Sequence, residues 1–180
     1  MLPNYKGPLS LSQLAETCAK AIKNANELLD ESEILFERDH FARSLYLLRI
    51  SNEELGKFYL SLEAILFELH KIEINWQTFW FSFRRHELKT QISESFFSHM
   101  IENDLYRVSN EELPKSVLAW EHVKLSSLYV DIFENQIQLP RETITKELVS
   151  EAIEVMSRRL RPLQGFDINA VIEKELSKIQ

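Results

Sequence analysis

The sequence is short of the residues that punctuate sheets. It has three glycines and five prolines in 180 residues. A fold of many hairpins needs turn residues far more often, so long helices with few connections are expected instead. Cysteine is rarer still: Cys18, standing alone, can form neither an intrachain disulfide nor a cysteine-based zinc site. Positive charge is outweighed, with 21 Lys and Arg against 28 Asp and Glu, a net charge of -7. That balance argues against a protein that coats long DNA by neutralising phosphates, though it leaves room for a small cationic site acting on RNA. No run approaches the roughly 18 uncharged apolar residues of a membrane span. The apolar stretch from Phe58 to Leu69 is interrupted by Glu63 and Glu68. Met1 to Leu11 lacks a basic segment followed by an apolar run, so no secretory signal is read there and the cytoplasm is the expected location.

Hydrophobic residues make up 44% of the chain, with eleven Phe, five Tyr and three Trp, enough for a sizeable core. The length suits one domain spanning 1–180, with 1–9 (Pro3, Gly7, Pro8) as an irregular lead-in. Ser10 or Ser12 can cap a first helix running to about residue 36, whose apolar positions Leu11, Leu14, Cys18, Ala21, Ile22, Ala25, Leu28 and Leu29 keep the 3.6-residue period. Cys18 reads as a small core residue. Further helices are expected over about Asp39–Leu69, Trp76–Glu102, Pro114–Gln136 and Glu142–Arg161, with a short last one after Asp167. The expected fold is an all-α antiparallel bundle of about five to six helices. Ser51–Lys57 and Ser109–Lys115 echo each other, but the match stops within a few residues, so no structural repeat is inferred.

The third of these helices carries the most chemistry. On a wheel, Trp76, Phe79, Trp80, Phe83 and Phe97 share one broad face, and Phe81, Leu88 and Ile92 form a second apolar strip. Between them lies a narrow polar window of Thr78, Ser82, Arg85, His86, Lys89 and Ser93. A helix apolar on two sides is packed on two sides, so this window should open into a groove. A histidine among cations suits RNA cleavage through the 2′-hydroxyl. His serves as base or acid near neutral pH, and Arg clamps phosphate oxygens. The competing reading is an ordinary ion-pairing surface in which Arg84, Arg85 and His86 sit next to Glu87.

The second helix offers Arg49, Glu53 and Lys57 at spacings of four, which can form a ladder of ion pairs. Gly56 in a helix interior costs up to about 1 kcal/mol relative to Ala, which points to close approach by another helix or a ligand. Glu53, Glu54 and Lys57 are expected beside the His86 groove, the carboxylates holding Arg85 or orienting His86. Metal and nucleotide sites fare poorly. Only Glu37–His40 has the Glu-x-x-His spacing, at a helix boundary, and there is no phosphate-binding glycine loop. His70, His99 and His122 have no evident partner set. No cofactor and no metal are called for.

Three motifs in order carry a resemblance: Glu53-Glu54-Leu55-Gly56-Lys57; Phe79-Trp80 with Phe83-Arg84-Arg85-His86 and Lys89; and Lys124 with Leu128-Tyr129-Val130-Asp131 and Pro140. The chain resembles bacterial abortive-infection proteins of the AbiV type, in the HEPN superfamily, over about the first helix to residue 161. The resemblance implies a HEPN helical bundle that pairs as a homodimer and halts phage multiplication. It implies an RNA substrate cut without metal, a phage protein as activator, and Arg84, Arg85, His86 and Lys89 as catalytic residues supported by Glu53, Glu54 and Lys57. The usual HEPN signature is an Arg, four to six residues, then a His with both subunits lining one cleft. In this chain Arg84 and Arg85 directly precede His86, and none of the five histidines has an Arg at that distance. Alternative readings are a non-catalytic helical protein that binds a phage or translation-machinery partner, and a purely structural bundle.

Overall fold

The computed structural model describes residues 6–100 and 113–179. They form α1 (Leu11–Glu37), α2 (Phe41–Leu69), α3 (Trp76–Arg84), α4 (His86–Met100), α5 (Leu113–Ser126), the hairpin strands β1 (Asp131–Phe133) and β2 (Gln136–Gln138), α6 (Pro140–Thr143), α7 (Lys146–Leu160) and α8 (Ile168–Ile179), with a 3-10 turn at Arg161–Leu163. The all-α expectation holds. Residues 1–5 of the lead-in, 101–102 at the end of the third expected helix, and 109–112 of the second echo lie outside the described residues.

Local chemistry sets the first two helices. Ser10 accepts from the Gln13 amide at 3.3 Å while the Gln13 side chain accepts from the Ser10 amide at 2.9 Å, a reciprocal cap on α1. Both α1 and α2 end on a left-handed residue, Asp39 (φ 60) and Lys71 (φ 57), with the following amides returning to Leu35 and Phe67. The short link between them makes α1 and α2 antiparallel neighbours. Small residues on α1 (Ala15, Cys18, Ala21, Ala25) let the axes approach, and Ser32 and Ser44 exchange hydroxyl-to-carbonyl bonds at 3.1 and 2.9 Å across the seam. Cys18 is fully buried, and burial pushes its thiol up to about 12, so it is the small core residue its spacing indicated.

The core gathers around α2. This helix packs on α1, α3, α4, α5, α6, α7 and α8, and every residue from Ser51 to Gly56 is buried. Over that stretch the helix has no solvated face, so its polar side chains must find partners inside the bundle. Gly56 is where α4 comes closest: a Cβ there would sit 2.1 Å from the Lys89 carbonyl oxygen. The glycine is explained by helix approach, through backbone and not through a side chain.

Three boundaries differ from the sequence reading. The third helix is two. Arg85 is extended (ψ 127), ending α3 and acting as first acceptor of α4 through the Lys89 amide at 3.1 Å. The segment after Lys124 is not helix to Gln136. It turns at Ser127 and forms a hairpin whose tip, Glu134 (φ 48) and Asn135 (φ 65), has the paired positive φ of a type I′ turn. The next helix is divided between the single turn α6 and α7, where Ile144 is extended and Thr145 caps α7 by accepting from Leu148 at 3.3 Å. The second apolar strip also fails at Phe81, which is exposed.

Gly56→Ala should therefore lower the melting temperature. Helix propensity favours the change by up to about 1 kcal/mol, but the methyl must push backbone apart, and overpacking of that kind costs about 1–3 kcal/mol. A thermal melt with equal or higher midpoint would show that α2 and α4 do not depend on this contact.

Candidate functional site

Two neighbouring positions on α2 organise the polar interior. Glu53, 2% exposed, is held from two other helices. Its Oε2 lies 2.7 Å from His86 Nδ1 and accepts from Lys89 Nζ at 2.8 Å, both on α4; its Oε1 accepts from Lys124 Nζ on α5 at 2.8 Å. Lys124 is also 2.5 Å from Glu121, one turn earlier on α5, and Glu121 accepts from Thr90 at 3.4 Å. Burial pushes the Glu53 carboxyl up, but the bonds from Lys124, Lys89 and His86 outweigh it and hold the group below its ordinary value. Glu53 is thus a carboxylate, which can only accept. Nδ1 of His86 must carry the proton of their bond, which fixes the tautomer and leaves Nε2 to act outward. The His86 side chain is 60% exposed, so this nitrogen belongs to an open ring fixed from behind.

Asn52, one residue earlier, points to a second network. Its Oδ1 accepts from Ser93 at 2.7 Å and from Arg159 Nη1 at 2.6 Å, and its Nδ2 donates to Glu94 at 3.3 Å. Arg159, from α7, grips Glu94 with both nitrogens at 2.9 and 2.6 Å and stacks over Phe97. Burial raises the Glu94 pKa, but the charge and hydrogen bonds of Arg159, with help from Arg49 and Asn52, hold it below its usual range. The two networks together tie α2 to α4, α5 and α7.

The expected site residues divide accordingly. Glu53, His86 and Lys89 come together, and Glu53 orients His86 and does not hold Arg85. Lys89 is buried against Glu53, so it faces the core and not a groove. Arg85, exposed at the α3–α4 break, stacks over Phe81 at 5.0 Å, and Arg84 stacks over Trp80 at 4.7 Å. Glu54 pairs with Lys57 at 2.6 Å and stands apart from His86's bond. The Arg49–Glu53–Lys57 ladder does not form, because burial gives each residue a different partner: Trp120, the α4 and α5 groups, and Glu54. The polar window is split, with Thr78 outside and Ser93 in the Asn52 network. Lys124 was visible only as a motif residue. Glu121, Glu94, Asn52 and Arg159 were not anticipated, and only Glu121 and Lys124 share a helical spacing that could have suggested a pair. Among the described residues no three His, Cys, Asp or Glu side chains gather as a metal-binding group, and no helix is long and apolar enough to cross a membrane.

The family model HEPN_AbiV, described as AbiV, matches residues 13–161. The chain belongs to the AbiV family of HEPN proteins. No curated protein and no solved structure matches it. The matched segment contains Glu53, His86, Lys89, Lys124 and Arg159, so the whole interior network lies within the AbiV region.

In this AbiV-family chain the carboxylates set a sign for acid stability. Glu53 and Glu94 both have folded-state pKa values below the ordinary 4.5. Their stabilisation is complete above that value, and it is lost as pH falls through the folded values, where the unfolded chain binds more protons. Melting temperature should be flat from pH 7 to about 5 and drop below 4.5. Glu94→Gln should lower the midpoint at pH 7 and shallow the acid decline; an unchanged acid slope would remove Glu94 from this account.

Proposed function

We propose that the protein is an abortive-infection toxin that cleaves RNA after phage infection, with His86 at its centre. The observation that carries this reading is the 2.7 Å bond between His86 Nδ1 and the buried, ionised Glu53, which leaves Nε2 as the working nitrogen of an exposed ring. Nε2 takes the proton of a 2′-hydroxyl, whose oxygen attacks the adjacent phosphorus. The bond to the 5′-oxygen breaks, and an imidazolium returns a proton to that leaving oxygen, giving a 2′,3′-cyclic phosphate and a 5′-hydroxyl. Arg85 and Arg84, at the joint just before His86, are the cations nearest in sequence for the phosphorane charge. Lys89 and Lys124 keep Glu53 ionised, and Glu54 with Lys57 borders the same stretch of α2. The chemistry needs no metal ion.

Purified protein with total bacterial RNA, in chelator and with or without phage lysate, tests this directly. His86→Ala should lose about 10²-fold or more of the cutting. It should stay folded with a slightly lower melting temperature, because the ring is exposed and Lys89 and Lys124 still pair with Glu53. Cutting by the variant at the wild-type rate would reject the mechanism.

The reading includes a homodimer, so that two His86 rings supply base and acid. What supports it is the exposed apolar side of α5. Glu121, Lys124 and Ser127 face inward while Leu118 and Leu125 face solvent. The apolar surface continues through Tyr129 and Val130 to the hairpin, where the paired Ile132 and Ile137 are 68% and 75% exposed. The hairpin lies beside the outer face of α5, with Asp131 and Gln138 sharing a cleft with His122 and Ser126. Such a surface suits a second copy, each contributing on the order of the 800 Å² typical of a stable interface. Sedimentation should show a dimer at micromolar concentration that Ile132→Asp with Ile137→Asp converts to monomer; a monomeric wild type would rule the dimer out. The same apolar face favours the second reading, a non-catalytic protein docking a phage or translation-machinery partner. That reading takes over if no RNA is cut under any condition while the two isoleucine changes abolish phage resistance.

A further inference from the structure

The interior network is one anion short. Among the described residues, Arg49, Lys89, Lys124 and Arg159 share it with Glu53, Glu94 and Glu121. Lys89, Lys124 and Arg159 each bond a carboxylate. Arg49 does not. It is 9% exposed, makes no hydrogen bond to any described residue, and its buried Nη2 has no partner. Its neighbour is the ring of Trp120, 4.5 Å from the guanidinium carbon. Burial lowers its pKa to about 10, against the pull of Glu94, so it is still charged at neutral pH. An unpaired buried cation weakens a fold, and a purely structural arginine would be expected to sit as Arg159 does, gripping a carboxylate.

The position of Arg49 gives this a direction. Arg49 is one turn before Glu53 on α2, and Trp120 is one turn before Lys124 on α5. Glu53 bonds Lys124 and Arg49 stacks on Trp120, so the two pairs are successive rungs of one seam. His86 closes on the Glu53 rung. Trp120 is only half-buried, so the Arg49 rung reaches towards the surface at its aromatic end.

We propose that Arg49 and Trp120 form a nucleotide-phosphate subsite one rung away from His86. The guanidinium takes two non-bridging phosphate oxygens, supplying the missing anion, and the Trp120 ring supplies a stacking face for the attached base. The assignment of that phosphate to an RNA strand rests on the reading of His86 above; the anion subsite itself does not.

The test uses the full chain with three probes: inorganic phosphate, a mononucleotide, and a short 2′-O-methyl oligonucleotide that cannot be cleaved through its 2′-position. Melting temperature and tryptophan fluorescence are read for each. The oligonucleotide should raise the midpoint and quench a signal that Trp120→Phe removes. Arg49→Met should melt higher than wild type without ligand, since it deletes an unpaired buried charge, and should bind the oligonucleotide about tenfold or more weakly. Lys23→Ala, on the exposed side of α1, should bind as wild type does; binding is read without cleavage, so a failed cleavage assay would leave this subsite standing. Equal stabilisation by mononucleotide and oligonucleotide would keep the subsite and assign it to a free nucleotide. Binding by Arg49→Met at wild-type strength, or a lower midpoint for its free form, would overturn the proposal and make Arg49 a structural residue.

Discussion

A single carboxylate determines how this bundle closes. Glu53 sits on the enclosed middle stretch of α2, and its two oxygens are taken by groups from two different helices. Removing an ion from water costs several kcal/mol, and only close, well-aligned partners repay it. The bond set therefore dictates where α4 and α5 stand relative to α2. It also holds the His86 ring in one tautomer. The same group is a clamp for the fold and an orienting base for the ring, which is why structure and chemistry cannot be pulled apart at this position.

The Asn52 network does a comparable job on the adjacent face. Successive residues of a helix point about 100° apart, so Asn52 and Glu53 address different neighbours. One reaches α7 through Arg159, the other α5 through Lys124. Around them the apolar contacts of Leu45, Leu55, Phe58 and Ile65 provide the non-directional part of the stability. The polar bonds provide the registry. α5 shows how far this goes: Glu121 and Lys124 point inward beside the buried Val117, while Leu118 and Leu125 lie outward.

The helical character of the chain was legible because its signals are local. The period of α1, the cap at Ser10 and the scarcity of glycine all act over a few residues, and the family motifs are local as well. Gly56 was legible as a close approach because a glycine inside a helix has a cost that needs a reason. The break at Arg85 carries no such mark: neither proline nor glycine stands there, and the aromatic packing of α3 and the buried face of α4 act only in three dimensions. The hairpin tip at Glu134 and Asn135 was hidden for the same reason, lacking a turn glycine. Lys124 as a partner of Glu53 and Arg159 as the partner of Glu94 were out of reach of any spacing rule, lying 71 and 65 residues away along the chain. The ladder on α2 was misread because four-residue spacing matters for an exposed helix face, and α2 is enclosed around Arg49 and Glu53.

The contact at Gly56 has an evolutionary consequence. It joins α2 to the backbone of Lys89, not to a side chain, so the separation of the two helices is set by atoms that every amino acid shares. Residue 86, whose ring is exposed, can change identity while the shelf that carries it stays in place, because Lys89 and Lys124 still pair with Glu53. A lineage could lose its histidine, abandon the chemistry, and retain an intact scaffold for recognition. Active and silent descendants of one ancestor would then share the same framework, and only the side chains mounted on it would tell them apart.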